Sequence, residues 1–168
     1  MIPSLRRVVT FYNPDNPISQ AAANIARDAA RELKVELIER PVHSVGELRS
    51  ILDALRPGDA DALSYIDGMV VSQEELLIDA ARTKRFPMIV GEHTSVVNGA
   101  LASYGVDYYE NGRLAAKHVQ RILLGASPSE LAIEQVDRLH FVINLKTAKA
   151  LGLTIPPSLL LRADQVIE

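Results

Sequence analysis

The stretch GALASYGVDYYENGRLAAKHVQRILLG, residues 99–125, begins as a short apolar strand, breaks at Gly105, and continues as a long amphipathic helix. That helix opens with an acid and two tyrosines, Asp107, Tyr108 and Tyr109, and Asp107 with Glu110 has the form of a cap. Ala115, Ala116, Val119, Ile122 and Leu123 then share one face. Two readings of the junction are open. It is an ordinary strand-to-helix turn, or it is a place where the chain crosses between two lobes that grip a ligand.

Working outward, the same alternation recurs on both sides. Upstream, RRVVTFY reads as a buried strand, and NPDNP leads into a helix with Ile18, Ala21, Ala22, Ile25, Ala26, Ala29 and Leu33 on one stripe. Asn16 before Pro17 is a good helix start, because the side-chain oxygen can accept from a free N–H and proline there loses no hydrogen bond. VELIERP returns as a strand; Ser44 with Glu47 caps a second helix; ALSYI is a third strand; Ser72 with Glu75 opens a third helix; and PMIVG from Pro87 is a fourth strand. Downstream, past the Pro/Ser/Glu patch near Ser127, LHFVIN reads as a strand. LKTAKALG reads as a helix stopped by Gly152, and PPSLLLRADQVIE as a last helix. Strands separated by single helices require crossovers, so the expected fold is α/β, with a doubly wound, mainly parallel sheet.

Composition excludes several function classes. The 168 residues suit one sizeable core, and 48% apolar content is that of a folded domain. Lys plus Arg number 18 against 21 Asp plus Glu, which gives no electrostatic reason for nucleic acid or an acidic membrane surface. Cysteine is absent, which removes disulfides, thiolate metal sites and cysteine nucleophiles. His43, His118 and His140 lack ligand spacing, so no metal site is expected, and no cofactor either, since no glycine-rich phosphate loop occurs. The apolar run in MIPSLRRVVTFYNP is too short for a secretory core or a membrane span, so no signal peptide and no membrane insertion are expected.

In doubly wound folds ligands bind beyond the carboxyl ends of the strands. Here those places are residues 13–19, 67–72, 92–98 and 103–107. Asn13, Asn16 and Ser19 surround a helix N-terminus that suits an anion, or serve only as a cap. Asp67 beside Gly68 is placed to receive an ammonium group, or is a turn residue. Glu92, His93, Thr94 and Ser95 share the loop after the fourth strand. Among eight aromatic residues, five tyrosines and three phenylalanines, Tyr104, Tyr108 and Tyr109 gather at one junction, for stacking on a ligand or for packing. No nucleophile elbow, metal pair or phosphate loop is present, so no enzyme and no catalytic residue is expected. A receiver-like or flavodoxin-like signalling domain is the alternative, on Asp67 and Thr94 or Ser95, although the paired acids and lysine of a receiver are missing.

GALASYGVDYYENGRLAAKHVQRILLGASPSEL followed by FVINLKTAKALGLTIPPSLLLRADQVIE closely resembles the C-terminal part of ABC-transporter substrate-binding proteins of the tryptophan-receptor-like group. RRVVTFYNPDNPISQ and FPMIVGEHTSVVNGALASYG agree with the same family. The resemblance implies one Rossmann-like or flavodoxin-like lobe of a type I periplasmic binding protein, with an N-terminal lobe outside this chain. It divides residues 1–126, a ligand-binding lobe with its hinge crossing at 103–107 and a returning helix at 107–124, from residues 127–168, a strand and helices that complete the same lobe. It implies a solute-binding function without catalysis, for an amino acid or small carboxylate, in a periplasmic or other extracytoplasmic location, with an ABC permease as partner. The ligand positions it suggests are Asn13, Asn16, Ser19, Asp67, Glu92, Ser95 and Asp107, although the third-strand loop here departs from the family's Thr-Asp-Asn pattern. With no first lobe to return to, the helix either folds back onto this sheet or packs on a homodimer partner or a separate N-terminal lobe.

Overall fold

The computed structural model describes residues 1–2, 5–66, 68–136 and 138–168. Six residues of β1 (Arg7–Tyr12) lie between β2 (Glu36–Pro41) and β3 (Ala62–Tyr65), all parallel. A second sheet has the order β4 (Ile89–Val90), β5 (Ala102–Val106), β6 (Leu139–Asn144), β7 (Gln165–Ile167). Its β5–β6 pair is antiparallel and its other pairs parallel. One bridge, Leu63 to Met88, joins the sheets edge to edge, so the chain has the mainly parallel α/β architecture that its alternating pattern requires.

From β1 the chain steps one way across the sheet to β2, and every later crossover from β2 through β5 steps the other way. With right-handed crossovers these connections fall on opposite faces. Accordingly α2 (Val45–Ala54), α4 (Glu74–Lys84) and α5 (His93–Asn98) form one layer, and their Leu48, Leu52, Leu77, Ile78, Ala81 and Val96 enclose the main core with Val9 and Phe11 of β1. On the other face, α1 (Pro17–Leu33) covers β1 and β2, while Met1, Ile2, α7 (Leu145–Leu151) and α8 (Pro157–Leu160) cover Leu101 and Ile143.

Several local expectations hold. Asn16 Oδ1 accepts from Ile18 N at 2.9 Å, and Gly152 ends α7 at φ 73°. Ser44 Oγ accepts from Glu47 N at 3.2 Å, while Glu47 reaches back to His43 N at 2.7 Å, one residue before the cap. Others need correction. The third crossover opens with the short α3 (Gly68–Val71), and α4 starts behind Gln73, two residues after the expected Ser72 cap. The last helix is a single turn: Asp164 takes Phe141 N at 2.9 Å and pairs with Arg138, and the chain beyond it extends as β7 against β6. The expected α1 stripe is rotated. Its buried residues are Ser19 and Ala23, while Ile18, Ile25 and Leu33 stand exposed, because small side chains let the helix lie close to the sheet.

Two ties substitute for features the sequence lacks. The cap of α2 falls on Leu55 and not on a glycine, yet Lys84 at the end of α4 donates to the carbonyls of Leu52, Asp53 and Leu55 at 2.6, 2.7 and 2.6 Å, which satisfies the free acceptors of that helix end. Asn144 is buried and donates to Val96 O of α5 at 2.9 Å while accepting from Thr147 N at 2.9 Å.

α6 (Tyr108–Leu123) does not fold back onto the sheet, and none of its described residues is buried. Its polar flank meets its own chain through Lys117 and His118, which face Glu134 at 2.9 and 3.9 Å. The apolar face points to solvent.

Candidate functional site

The carboxyl ends of β1, β3, β4 and β5 share one edge, where α1, α4, α5 and α6 begin. Gly105 lies so close to Gly91 at this edge that a Cβ would stand 2.0 Å from the Gly91 carbonyl oxygen, so the β4 and β5 ends meet backbone to backbone.

Asn13 and Asn16 lie at the mouth of α1, with the Asn13 side chain accepting from Asp15 N at 2.9 Å. Ser19 is buried one turn further in. Glu92 occupies the N-cap position of α5 without capping it, which leaves its carboxylate at the edge. Ser95 is fully buried, and its hydroxyl lies 3.3 Å from that of Tyr65. Asp107 caps α6, accepting from Tyr109 N at 2.8 Å, with His140 Nδ1 at 3.8 Å from its other oxygen. Asp67 falls outside the described residues. The edge thus holds Glu92 and Asp107 on one side and Asn13 and Asn16 on the other, whereas Ser95 and Ser19 are enclosed beneath.

Sequence reasoning missed Tyr65 and Glu74. Burial pushes the Tyr65 hydroxyl above the ordinary phenol range against its Ser95 bond, and the negative charges of Glu92 and Glu74, with Tyr108, push the same way. One carboxylate oxygen of Glu74 is buried with no hydrogen-bond partner among the described residues. A tyrosine at the carboxyl end of a buried strand was the available clue. Its partner, 30 residues away, was not. Chemically this wall is a phenol beside two carboxylates, suited to a cationic or hydrogen-donating group. The first turn of α1 holds no acid and, with its positive dipole end, suits an anion.

A further concavity of about 670 Å³ runs between α6 and Gln135, Val136, Arg138 and His140. Among its described residues it offers no free cation: Arg113 pairs with Glu110, Lys117 with Glu134 and Arg138 with Asp164. Among the described residues no three His, Cys, Asp or Glu gather as a metal site, and no helix is long and apolar enough to cross a membrane.

Residues 1–167 match the family described as ABC transporter substrate binding protein. The chain belongs to that family. A tyrosine-binding protein of Clostridioides difficile is 27% identical over 155 residues, 91% of this chain and 44% of the relative. A conserved domain protein from Vibrio cholerae superposes with a TM-score of 0.85 at 29% identity, covering 98% of this chain and 56% of that one. An ABC domain in complex with L-Trp from Streptococcus pneumonia superposes equally well, TM-score 0.85, at 25% identity and the same coverage. The chain therefore spans about half the length of the family members it matches. The comparisons favour a substrate-binding protein over a receiver. The acid after β1, Asp15, is engaged with His43 Nδ1 at 2.8 Å.

Proposed function

We propose that this chain is a solute-binding lobe of an ABC-transporter receptor, non-catalytic, which takes an amino acid. The observation that carries the reading is the family match over residues 1–167, joined to a polar edge at the carboxyl ends of the parallel strands. Two of the similar proteins are described by an aromatic amino acid, tyrosine in one and L-Trp in the other. An amino acid carries both charges the edge is suited to. Its carboxylate goes to the mouth of α1 at Asn13 and Asn16, with Ser19 supporting the turn. Its ammonium goes to Glu92, with Asp67 assigned by sequence position; Ser95 and Asp107 orient the wall through Tyr65 and the start of α6.

The second wall of the cleft is supplied by another lobe, either a second copy or a separate N-terminal lobe, and the loaded receptor delivers its ligand to a permease outside the cytoplasm. Residues 1–126 form the lobe with its crossing at 103–107, and residues 127–168 complete it. Half a cleft leaves the ligand partly hydrated, so binding by this lobe alone is weak. The test is calorimetry and amide chemical-shift mapping with a panel of amino acids. L-Tyr and L-Trp should shift resonances around Asn13, Asn16, Glu92 and Ser95 at about 1 mM ligand, the affinity of a weak contact. Shifts from no amino acid contradict the ligand class, and tight binding by a proven monomer contradicts the half-cleft.

A further inference from the structure

The loop that leads into α1 is organised from two sides. Within the loop, Asn13 Oδ1 accepts from Asp15 N at 2.9 Å, Asn13 O accepts from Asn16 N at 3.3 Å, and Gln20 in the first turn of α1 donates to Pro14 O. From outside, His43 Nδ1 lies 2.8 Å from Asp15 Oδ2, 28 residues along the chain, where β2 ends and α2 begins. His43 is itself fixed: its backbone N–H donates to Glu47 Oε2 at 2.7 Å, and beside it Val42 N donates to Tyr12 O at 2.9 Å. For stability the pair is worth little, because its two side chains are 51% and 74% exposed. Its importance lies in its place. Asp15 directly precedes the cap residue Asn16, so its carboxylate stands at the positive end of a 17-residue helix, where a ligand's carboxylate would also sit.

We propose that His43 is a positioning residue for the ligand: it holds Asp15 and offsets its charge, so that the mouth of α1 stays free for the ligand's carboxylate. The inference rests on the amino-acid reading above, which seats that carboxylate at Asn13 and Asn16. With His43 charged, Asp15 is bound and compensated, and the cap of α1 is left to Asn16. With His43 neutral, the chain's own carboxylate opposes a second anion at the same helix end. The charged groups that act on the ring are Asp15 from the α1 loop and Glu47 from α2, and both are acids. The hydrogen bond to Asp15 foremost, and then the charges of Asp15 and Glu47, hold the ring's proton above the ordinary imidazole range, while desolvation opposes them. The ring is therefore charged in mild acid. Affinity for a carboxylate ligand is full there and falls as pH rises through the raised value.

The experiment breaks the pair from its two ends in the full chain and follows L-Trp binding by amide shifts and calorimetry. Asp15→Asn removes the opposing charge and should bind at least as tightly as the unaltered chain at both about pH 6 and about pH 8. His43→Gln keeps a hydrogen-bond donor without the charge, and should bind about three- to tenfold more weakly at about pH 6, with no further fall toward pH 8. His43→Lys keeps a charge and should hold the full affinity across that range. A merely structural tie would weaken Asp15→Asn and His43→Gln alike. In the ligand-free chain the amides of Ile18, Ser19 and Gln20 should titrate with the His43 ring and cease to do so in Asp15→Asn. Equal losses in the two variants, a wild-type affinity that ignores pH, or mouth amides that ignore the ring each overturn the proposal. If neither L-Trp nor L-Tyr moves any resonance, it is the amino-acid reading that has failed. Acetate then serves as a bare carboxylate, and no acetate shift at the α1 mouth, or one that both variants leave alike, overturns the role of His43 in its own right.

Discussion

In α4 the side chains of Leu77, Ile78 and Ala81 are 0%, 6% and 4% exposed, whereas in α6 Val119 and Leu123 are 55% and 81% exposed. Both helices carry an apolar stripe at helical spacing, both begin with acid and end with base, and both leave the carboxyl end of a parallel strand. They differ in their neighbours. α4 is met by α2 and α5 and by the core of β1, while α6 runs on into a linker whose Glu134 returns to its polar side. Amphipathicity thus records that a helix has a partner without saying that the partner is in the same chain.

The sharpest way to break this contrast is a matched pair of truncations. Leu77→Ala should cost about 3 kcal/mol, a buried leucine with its cavity, and Leu123→Ala in the monomer less than about 0.5 kcal/mol, as for a surface change. Urea unfolding reads both, and equal losses would mean α6 is packed after all. Gly105→Ala probes the passage from one region to the other. Its Cβ would meet the Gly91 carbonyl at 2.0 Å, and we expect a loss of about 2–3 kcal/mol with β4–β5 amides exchanging faster. Asn144→Ala, inside the packed layer, removes a buried donor and acceptor and should cost about 2 kcal/mol in the same assay.

The smallest effect lies on the α1 side, where a polar tie stands in for packing. Arg27 donates to both oxygens of Glu39 at 2.7 Å, and that hydrogen bonding holds the Glu39 carboxyl below its usual value. The tie therefore contributes fully above the ordinary carboxylate pKa, and the contribution fades as pH falls through the lowered folded-state value. Glu39→Gln should lose about 1 kcal/mol at neutral pH and nothing in strong acid. A loss that persists in acid would assign the effect to packing.

How much was legible depends on physical range. Asn16, Ser44 and Gly152 act on neighbours within a turn, and their roles could be read directly. The strand–helix alternation gave the parallel sheet for the same reason. The α1 stripe misled because its large residues Ile18, Ile25 and Leu33 stand exposed while small ones meet the sheet. β7 was hidden in a helix-like ending, since its pairing depends on Asp164 gripping Phe141 from 23 residues away. At the site, the caps and loop positions were legible. The Tyr65–Ser95 contact and the buried Glu74 oxygen depend on β3 and α5 being brought side by side, which no local pattern encodes.

The ammonium of Lys84 has a consequence for how this lobe comes apart. Because one side chain closes the end of α2 from the end of α4, fraying of either terminus breaks all three of these hydrogen bonds at once. Acetylating that single amine would remove the shared clasp, and two segments that now melt as one cooperative unit would loosen separately.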